Sequence, residues 1–138
     1  MRLPEELQFI QNARLPQRST AARIDGKVCV ITGATSGVGY AATKRLARGG
    51  GHIVMVCRNP EKAKRVKQEL SQTCGTEASV VLADFQDLTQ IRAAAKTLLR
   101  EYPRIDVLIN SAGIHRTRRT FTEAGIEAVF FVNHLAPF

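Results

Sequence analysis

Four short apolar runs, separated by longer stretches with helical spacing, constrain the fold of this chain more than any other feature. They occupy residues 28–31, 53–56, 79–82 and 107–109, and the third of them starts with a serine, Ser79. An unbroken apolar run is typical of a strand whose two faces are both buried. Strands of this kind, alternating with amphipathic helices, predict the α/β class with a doubly wound parallel sheet. Right-handed crossovers then place the four strands in the order 3-2-1-4.

The first helix is predicted over residues 37–48. Val38, Ala42 and Leu46 recur at every fourth position, and we expect them to form the apolar stripe that packs on the sheet. Lys44 falls outside this stripe and is therefore expected to face solvent.

Sequence signals also mark where the later helices begin. Asn59 precedes a proline, which is the pattern of an N-cap followed by Pro at the first helical position. Asp87 with Gln90 resembles a capping box. Thr122 is expected to cap a last helix that begins at Glu123.

Length and hydropathy limit the class of protein. A chain of 138 residues fits one domain. We interpret residues 1–24 as an N-terminal extension, with a short helix over residues 4–11 and a linker, and residues 25–138 as the folded domain. The apolar runs are far shorter than the roughly 18 residues of a transmembrane helix. The N-terminal residues lack the apolar core of a secretory signal.

The three cysteines are Cys29, Cys57 and Cys74, and no pair of them has C-x-x-C spacing. This number and spacing argue against a disulfide scaffold and against a zinc site. Since free buried cysteines are typical of reducing compartments, the sequence predicts a cytoplasmic protein without a metal.

The charge is strongly positive, with 20 Lys and Arg against 12 Asp and Glu, a formal net charge of +8. Such a balance is compatible with a nucleic-acid partner or an anionic membrane surface. The alternative is a solvated surface with a site for a phosphate group. The basic residues are spread over several segments, such as 62–67 and 116–119, without interleaved aromatic residues for base stacking. No nucleic-acid partner is therefore expected.

A glycine-rich turn, residues 32–39, directly follows the first apolar run and opens the first helix. Backbone N–H groups at a helix N-terminus face a phosphate favourably, and the helix dipole assists. Glycine is expected here because a Cβ atom would block the tight turn and the approach of a pyrophosphate. A plain strand–helix turn is the alternative. The predicted phosphate-site residues are Gly33, Thr35, Ser36, Gly37, Val38 and Gly39.

The residue after the second run discriminates between two nucleotide cofactors. Sites for NAD place Asp or Glu there to bind the ribose 2′-hydroxyl. Here Arg58 follows Cys57, and the first acid is Glu61. A guanidinium suits a 2′-phosphate, so the sequence favours NADP over NAD. A surface arginine at a strand end is the alternative.

Asp84 follows the third run, at the edge of the predicted sheet where ligands bind. Its carboxylate could accept a hydrogen bond from an adenine amino group. It could equally be a turn or cap residue, because Asp is common in both.

Together these residues resemble the short-chain dehydrogenase/reductase family. Residues 32–39 are similar to its T-G-x-x-x-G-x-G motif, and residues 110–113, Asn-Ser-Ala-Gly, are similar to N-N-A-G. Residues 133–138, Asn-His-Leu-Ala-Pro-Phe, resemble the N-H-L-G-H-F segment of its retinol-dehydrogenase-like branch. The resemblance covers about residues 25–138 and implies a partial, Rossmann-like NAD(P)-binding domain there.

The resemblance also implies a cofactor, a substrate class and site residues. It implies NADP(H) and a small, lipophilic alcohol or carbonyl substrate. Asp84 would contact the adenine, and Asn133 would be the catalytic asparagine that orders a water of the proton relay. Asn133 follows Phe130 by three residues and so falls on an apolar helix face, where we expect it to be buried and its amide to need partners. A helix-end Asn that bonds a backbone carbonyl is the alternative. Further expected cofactor contacts are Asn59, Phe85, Asn110, Ala112 and Gly113.

The catalytic Ser and the Tyr-x-x-x-Lys pair of that family have no match in these residues. Lys44 follows Tyr40 by four, but the pair lies in the cofactor helix, and Tyr102 has no such lysine. We therefore expect a fragment of an oxidoreductase that is inactive by itself. The alternative is a non-catalytic nucleotide-binding or interaction protein. An unpaired edge of the fourth strand further predicts self-association.

Overall fold

The computed structural model describes Pro4, Leu7 and residues 20–138. The short helix predicted over residues 4–11 therefore lies outside the described residues, apart from Pro4 and Leu7. The elements in chain order are β1 (Val28–Thr32), α1 (Gly37–Arg48), β2 (His52–Cys57), α2 (Pro60–Cys74), β3 (Ala78–Leu82), α3 (Leu88–Glu101), β4 (Val107–Asn110), a single turn α4 (Ala128–Phe130) and a π-helical turn (Phe131–Leu135).

The four strands form one parallel sheet in the order β3-β2-β1-β4, which confirms the predicted order. Ile31 of β1 lies beside Met55 of β2 and Ile109 of β4. Because successive residues of a strand face opposite sides, each central strand contributes to two apolar layers. The architecture is the predicted doubly wound, Rossmann-like sheet.

Helices cover both faces of the sheet. On one face, α1 and α2 pack against a cluster that contains Ile31, Met55 and Leu70. On the other face, α3 packs against Val30 and Val54. These five side chains are fully buried. The helices do not cover the carboxyl ends of the strands, where the loops of the site lie.

The buried face of α1 is shifted by one residue from the predicted stripe. Its buried residues are Gly39, Thr43 and Ala47. Val38 is 80% exposed, and Ala42 and Leu46 are only half-buried. The predicted stripe was wrong for Val38, while Leu46 packs, partly buried, against the core cluster. Gly39 takes the buried face because its backbone lies against the Gly33 carbonyl, where a Cβ atom would collide. The Thr43 hydroxyl is satisfied there, since it donates to the Gly39 carbonyl at 2.8 Å.

Lys44 does not face solvent as predicted, because it links α1 to α2. Its Nζ donates to Glu69 Oε1 at 2.6 Å, and the Tyr40 hydroxyl donates to Glu69 Oε2 at 2.6 Å. The hydrogen bond to Glu69 is the main cause that raises the pKa of Lys44. Tyr40 and Lys44 therefore hold two helices together. Their spacing resembles that of a Tyr-x-x-x-Lys pair, but their contacts are structural.

Asp106 joins the amino ends of β1 and β4. One carboxylate oxygen accepts from the Val28 N–H at 2.9 Å, and the other accepts from Lys27 Nζ at 3.2 Å and from the Arg104 guanidinium. These bonds, chiefly the one from Val28, lower the pKa of Asp106 to about 2.

Two of the predicted helix starts are confirmed. Asn59 Oδ1 accepts from the Lys62 N–H at 2.8 Å, at the start of α2. Asp87 Oδ1 accepts from the N–H groups of Thr89 and Gln90 at 2.8 and 3.3 Å, at the start of α3.

The predicted start of the last helix was wrong. Thr122 does not cap it, because Phe121 forms an antiparallel bridge with Glu127 and the residues between them form a turn. The helix begins at Ala128 instead. The Glu127 carboxylate caps it by accepting from the N–H groups of Val129 and Phe130.

Candidate functional site

A cleft of about 140 Å³ lies at the carboxyl ends of the strands. It is the place where ligands bind in open α/β sheets. The residues that line it are Gly33, Thr35, Ser36, Val56, Cys57, Arg58, Ala83, Asp84, Phe85, Gln86, Ala112, Gly113, Ile114 and Val132. The volume is below the roughly 300 Å³ of a typical whole-ligand pocket, so the cleft can enclose only part of a dinucleotide.

The structure brings most of the sequence-predicted residues to this cleft. Those that line it are Gly33, Thr35, Ser36, Arg58, Asp84, Phe85, Ala112 and Gly113. The others, which do not line it, are Gly37, Val38, Gly39, Asn59, Asn110 and Asn133. Of these, Asn59 caps α2 and Asn110 ends β4 beside Thr32.

Sequence reasoning missed several lining residues. Val56, Cys57 and Ala83 stand at or just after strand ends, so the rule that ligands bind at carboxyl edges could have found them. Gln86, Ile114 and Val132 reach the cleft through loop and helix geometry, and nothing in their sequence context signals it.

The glycine turn packs tightly against the loop after β4. Gly33 has φ +66°, and a Cβ atom there would lie 2.8 Å from Ala112 Cα. Thr32 Oγ1 accepts from the Ser111 and Ala112 N–H groups at 3.1 and 3.0 Å, which fixes the two segments together. A Cβ atom at Gly39 would collide with the Gly33 carbonyl oxygen. At these two positions, glycine is needed for contact between backbones.

The N-terminus of α1 is the polar side of the cleft. Ser36 is its N-cap residue in extended conformation, and its side chain makes no capping hydrogen bond to the described residues. Gly37 follows with φ +55°, and a Cβ atom there would meet nothing within 4 Å. Because the first N–H groups of a helix have no intrahelical partners, this end can receive an anion.

Arg58 is exposed at the carboxyl end of β2 and lines the cleft. It forms no ion pair with any residue that the structure describes. Its neighbour Cys57 is buried, and this burial raises the pKa of the thiol. A cation without an ion-pair partner among the described residues thus stands on the rim, next to the buried Cys57.

Asp84 makes the turn after β3. Its Oδ1 accepts from the Gln86 N–H at 2.9 Å, and its own N–H donates to Gln90 Oε1 at 3.0 Å. The turn role is therefore present in the structure. Asp84 also lines the cleft, so an adenine contact is compatible with this turn and stays a prediction.

Asn133 is exposed, so the expectation that it is buried was wrong. The helix around it is short and leaves its side chain at the surface. Each end of its amide nevertheless has a backbone partner: Oδ1 accepts from the Ile114 N–H at 2.8 Å, and Nδ2 donates to the Ile114 carbonyl at 2.9 Å. Asn133 therefore fixes the chain that leaves β4, and it lies in a π-helical turn, a feature that is frequent at functional sites.

Both tyrosines lie outside the cleft. Tyr40 is bonded to Glu69 between α1 and α2. The Tyr102 ring lies 5.8 Å from the His52 ring, next to the end of α3. Neither phenol is in a position to exchange a proton with a molecule in the cleft.

Within the part of the chain that the structure describes, no helix combines the length and the apolar character needed to cross a membrane.

Known proteins are similar to this chain in sequence and in fold. The family model for short chain dehydrogenases matches residues 27–138. One relative is a Streptomyces sp. (strain C5) protein that is provisionally named a daunorubicin C-13 ketoreductase. It is 44% identical to this chain over 115 residues, which are 83% of this chain and 40% of that protein. Retinol dehydrogenase 14 of Mus musculus is 42% identical over 124 residues, covering 82% of this chain and 37% of that enzyme.

A solved structure agrees with them. The short-chain dehydrogenase from Sphingobium yanoikuyae in complex with NADPH has a TM-score of 0.69 and 32% identity, covering 80% of this chain and 44% of that one. This chain thus spans about 40% of the length of the curated relatives it matches. The match over most of the chain, together with the fold, shows that the protein belongs to the short-chain dehydrogenase family.

Proposed function

We propose that the cleft binds NADP(H), and that the whole protein is an NADP(H)-dependent oxidoreductase that interconverts an alcohol and a carbonyl on a small, lipophilic molecule. Family membership supports NAD(P)-dependent oxidoreductase chemistry in general. The names of the retinol and daunorubicin relatives support a lipophilic substrate. Free thiols at all three cysteines support a reducing compartment such as the cytoplasm.

The observation that carries the choice of NADP(H) is the position of Arg58. It stands on the cleft rim at the end of β2, where sites for NAD carry an acid. A guanidinium can form charge-assisted, bidentate hydrogen bonds to a phosphate, whereas it gains less from a ribose hydroxyl.

The other rim residues fit the remaining parts of such a nucleotide. The uncapped start of α1, with open space beside Gly37, fits a pyrophosphate. The Asp84 carboxylate oxygen Oδ2 accepts no hydrogen bond from the described residues, which leaves it for an adenine amino group. Phe85 and Ile114 supply apolar walls for a ring.

For catalysis, the described residues contribute groups that position the nucleotide, and neither Tyr40 nor Tyr102 lines the cleft. Bound nicotinamide would supply the hydride chemistry. Gly113 and Ile114 form the cleft wall that Asn133 holds in place through its two hydrogen bonds. We propose that Asn133 also holds the water of the proton relay.

A nucleotide-binding protein without oxidoreductase activity is the second candidate function. The observation that favours it is the position of Tyr40 and Tyr102, which both lie outside the cleft. NADPH oxidation with a ketone, measured on the whole protein, discriminates the two, because the second candidate binds NADPH without oxidising it.

The cofactor proposal is tested by fluorescence titration of the 138-residue chain with NADPH and with NADH. Wild type is expected to bind NADPH more tightly. Arg58→Asp is expected to lose about 1.5–3 kcal/mol of NADPH binding, tenfold or more in affinity. Arg92→Asp, at an exposed position of α3, is the matched control and should keep wild-type affinity. Equal wild-type affinities for the two cofactors would contradict the proposal.

A further inference from the structure

One hydrogen bond joins two loops that leave opposite edges of the sheet. Gln86 follows β3 and Arg116 follows β4, and these are the two edge strands. The Arg116 guanidinium nitrogen Nη2 donates to Gln86 Oε1 at 3.2 Å. Within the described part of the chain, no other side-chain hydrogen bond connects residues 83–87 with residues 111–121.

This bond closes a ring around the cleft. Strands in a sheet lie about 4.8 Å apart, so the three steps from β3 to β4 span roughly 14 Å. The long side chains of Arg116 and Gln86 meet across this width. Gly33 and Cys57, at the ends of β1 and β2, line the cleft between the two loops. Gln86 lines it as well, and Arg116 comes two residues after Ile114, another lining residue.

Arg116 is available for this role. It is exposed, and it forms no ion pair with the residues that the structure describes. Glu127, an acidic residue of the segment that follows this loop, has both carboxylate oxygens engaged with backbone N–H groups at the start of α4. The guanidinium does not itself line the cleft, so it sits on the rim and leaves the interior open.

We propose that Arg116 and Gln86 form a clasp that holds the two rim loops, and with them Phe85 and Ile114, around the bound nucleotide. The clasp rests on the proposed binding of NADP(H). Arg116 is a positioning residue, because it acts on the nucleotide through Gln86. The consequence is kinetic: the clasp slows the release of the nucleotide and has little effect on its association.

Stopped-flow fluorescence tests the clasp on the 138-residue chain, by chasing bound NADPH with excess NADP⁺. Arg116→Ala and Gln86→Ala are each expected to speed NADPH release about two- to tenfold, the range that one hydrogen bond provides. The double variant should release no faster than either single variant, because both remove the same bond. Arg116→Lys, which keeps a donor, should restore slow release.

Arg118→Ala, a change in the same exposed loop, is the matched control and should behave as wild type. Additive effects of the two alanine variants would overturn the clasp, because they would mean separate contacts with the nucleotide. Equal changes in the association and release rates would also overturn it, because they describe an obstacle at the entrance. If Arg116→Ala releases NADPH at the wild-type rate, the clasp is overturned and the cofactor proposal still stands. No NADPH signal from wild type overturns both.

Discussion

Thr32 shows how one buried side chain can shape the cleft without facing a ligand. Its hydroxyl oxygen accepts two N–H groups from the loop after β4, and this contact draws the loop onto the glycine turn. Gly33 and Gly39 have to be glycine because each lies against another backbone segment, Ala112 and Gly33 respectively, where a Cβ atom would collide. Gly37 has a positive φ, as Gly33 does, but it differs from both because the space beside it is open.

This difference predicts an order of stability for two alanine variants. Gly37→Ala places a residue at φ +55° without a collision, and should lose about 1–2 kcal/mol of unfolding free energy. Gly39→Ala drives Cβ into the Gly33 carbonyl oxygen, and should cost about 3 kcal/mol or more, at the upper end for overpacking. Urea denaturation measures both. An equal or reversed order would contradict the packing described here.

Asp106 predicts a pH dependence of stability. Its pKa in the folded chain is about 2, below the ordinary value of 3.8, so the unfolded chain takes up the proton at higher pH. The carboxylate therefore stabilises the fold above about pH 4, and this stabilisation is lost as the pH falls to about 2. Asp106→Asn should be less stable than wild type at pH 7, and the difference should shrink through that window. Glu77→Gln, at an exposed position, is the control. A difference that does not change with pH would refute this role.

At the scale of elements, helix starts that depend on nearby residues could be predicted from the sequence, whereas features that depend on tertiary packing could not. The starts of α2 and α3 were predicted correctly, because Asn59 and Asp87 bond to N–H groups within three residues. The buried face of α1 was not, because it depends on how closely the helix approaches the sheet. The start of the last helix was missed because Phe121 pairs with Glu127 across a turn.

The corrected face of α1 is tested by two matched substitutions in that helix. Ala47 is 1% exposed and Ala41 is exposed, although both are alanines of the same helix. Ala47→Leu should overpack the layer between helix and sheet and cost about 1–3 kcal/mol. Ala41→Leu should change the unfolding free energy by less than about 0.5 kcal/mol. Thermal or urea unfolding of the two variants gives the comparison, and similar losses would mean that the face is assigned wrongly.

At the scale of the whole molecule, the parallel sheet places the carboxyl ends of all four strands at one edge. Most of the predicted site residues lie at that edge because they follow these strands in the sequence. Strand order could be read from the apolar runs. Of the six residues predicted in the glycine turn, Gly33, Thr35 and Ser36 line the cleft, and their role in binding stays a prediction. The Arg116–Gln86 bond could not, because it joins residues 30 positions apart across the full width of the sheet. Among the described residues, β4 pairs only with β1 and Leu108 is 55% exposed, so self-association stays a prediction.

The central claim is that NADPH binds at the carboxyl edge of the sheet, and backbone amide NMR of the ¹⁵N-labelled chain tests it most directly. On titration with NADPH, saturable shifts are expected at the glycine turn, residues 33–39, at Arg58 and at residues 84–86. Amides at the amino edge, such as those of Lys27 and Asp106, should keep their positions. Shifts concentrated at the amino edge, or no saturable shift at the glycine turn, would contradict the account.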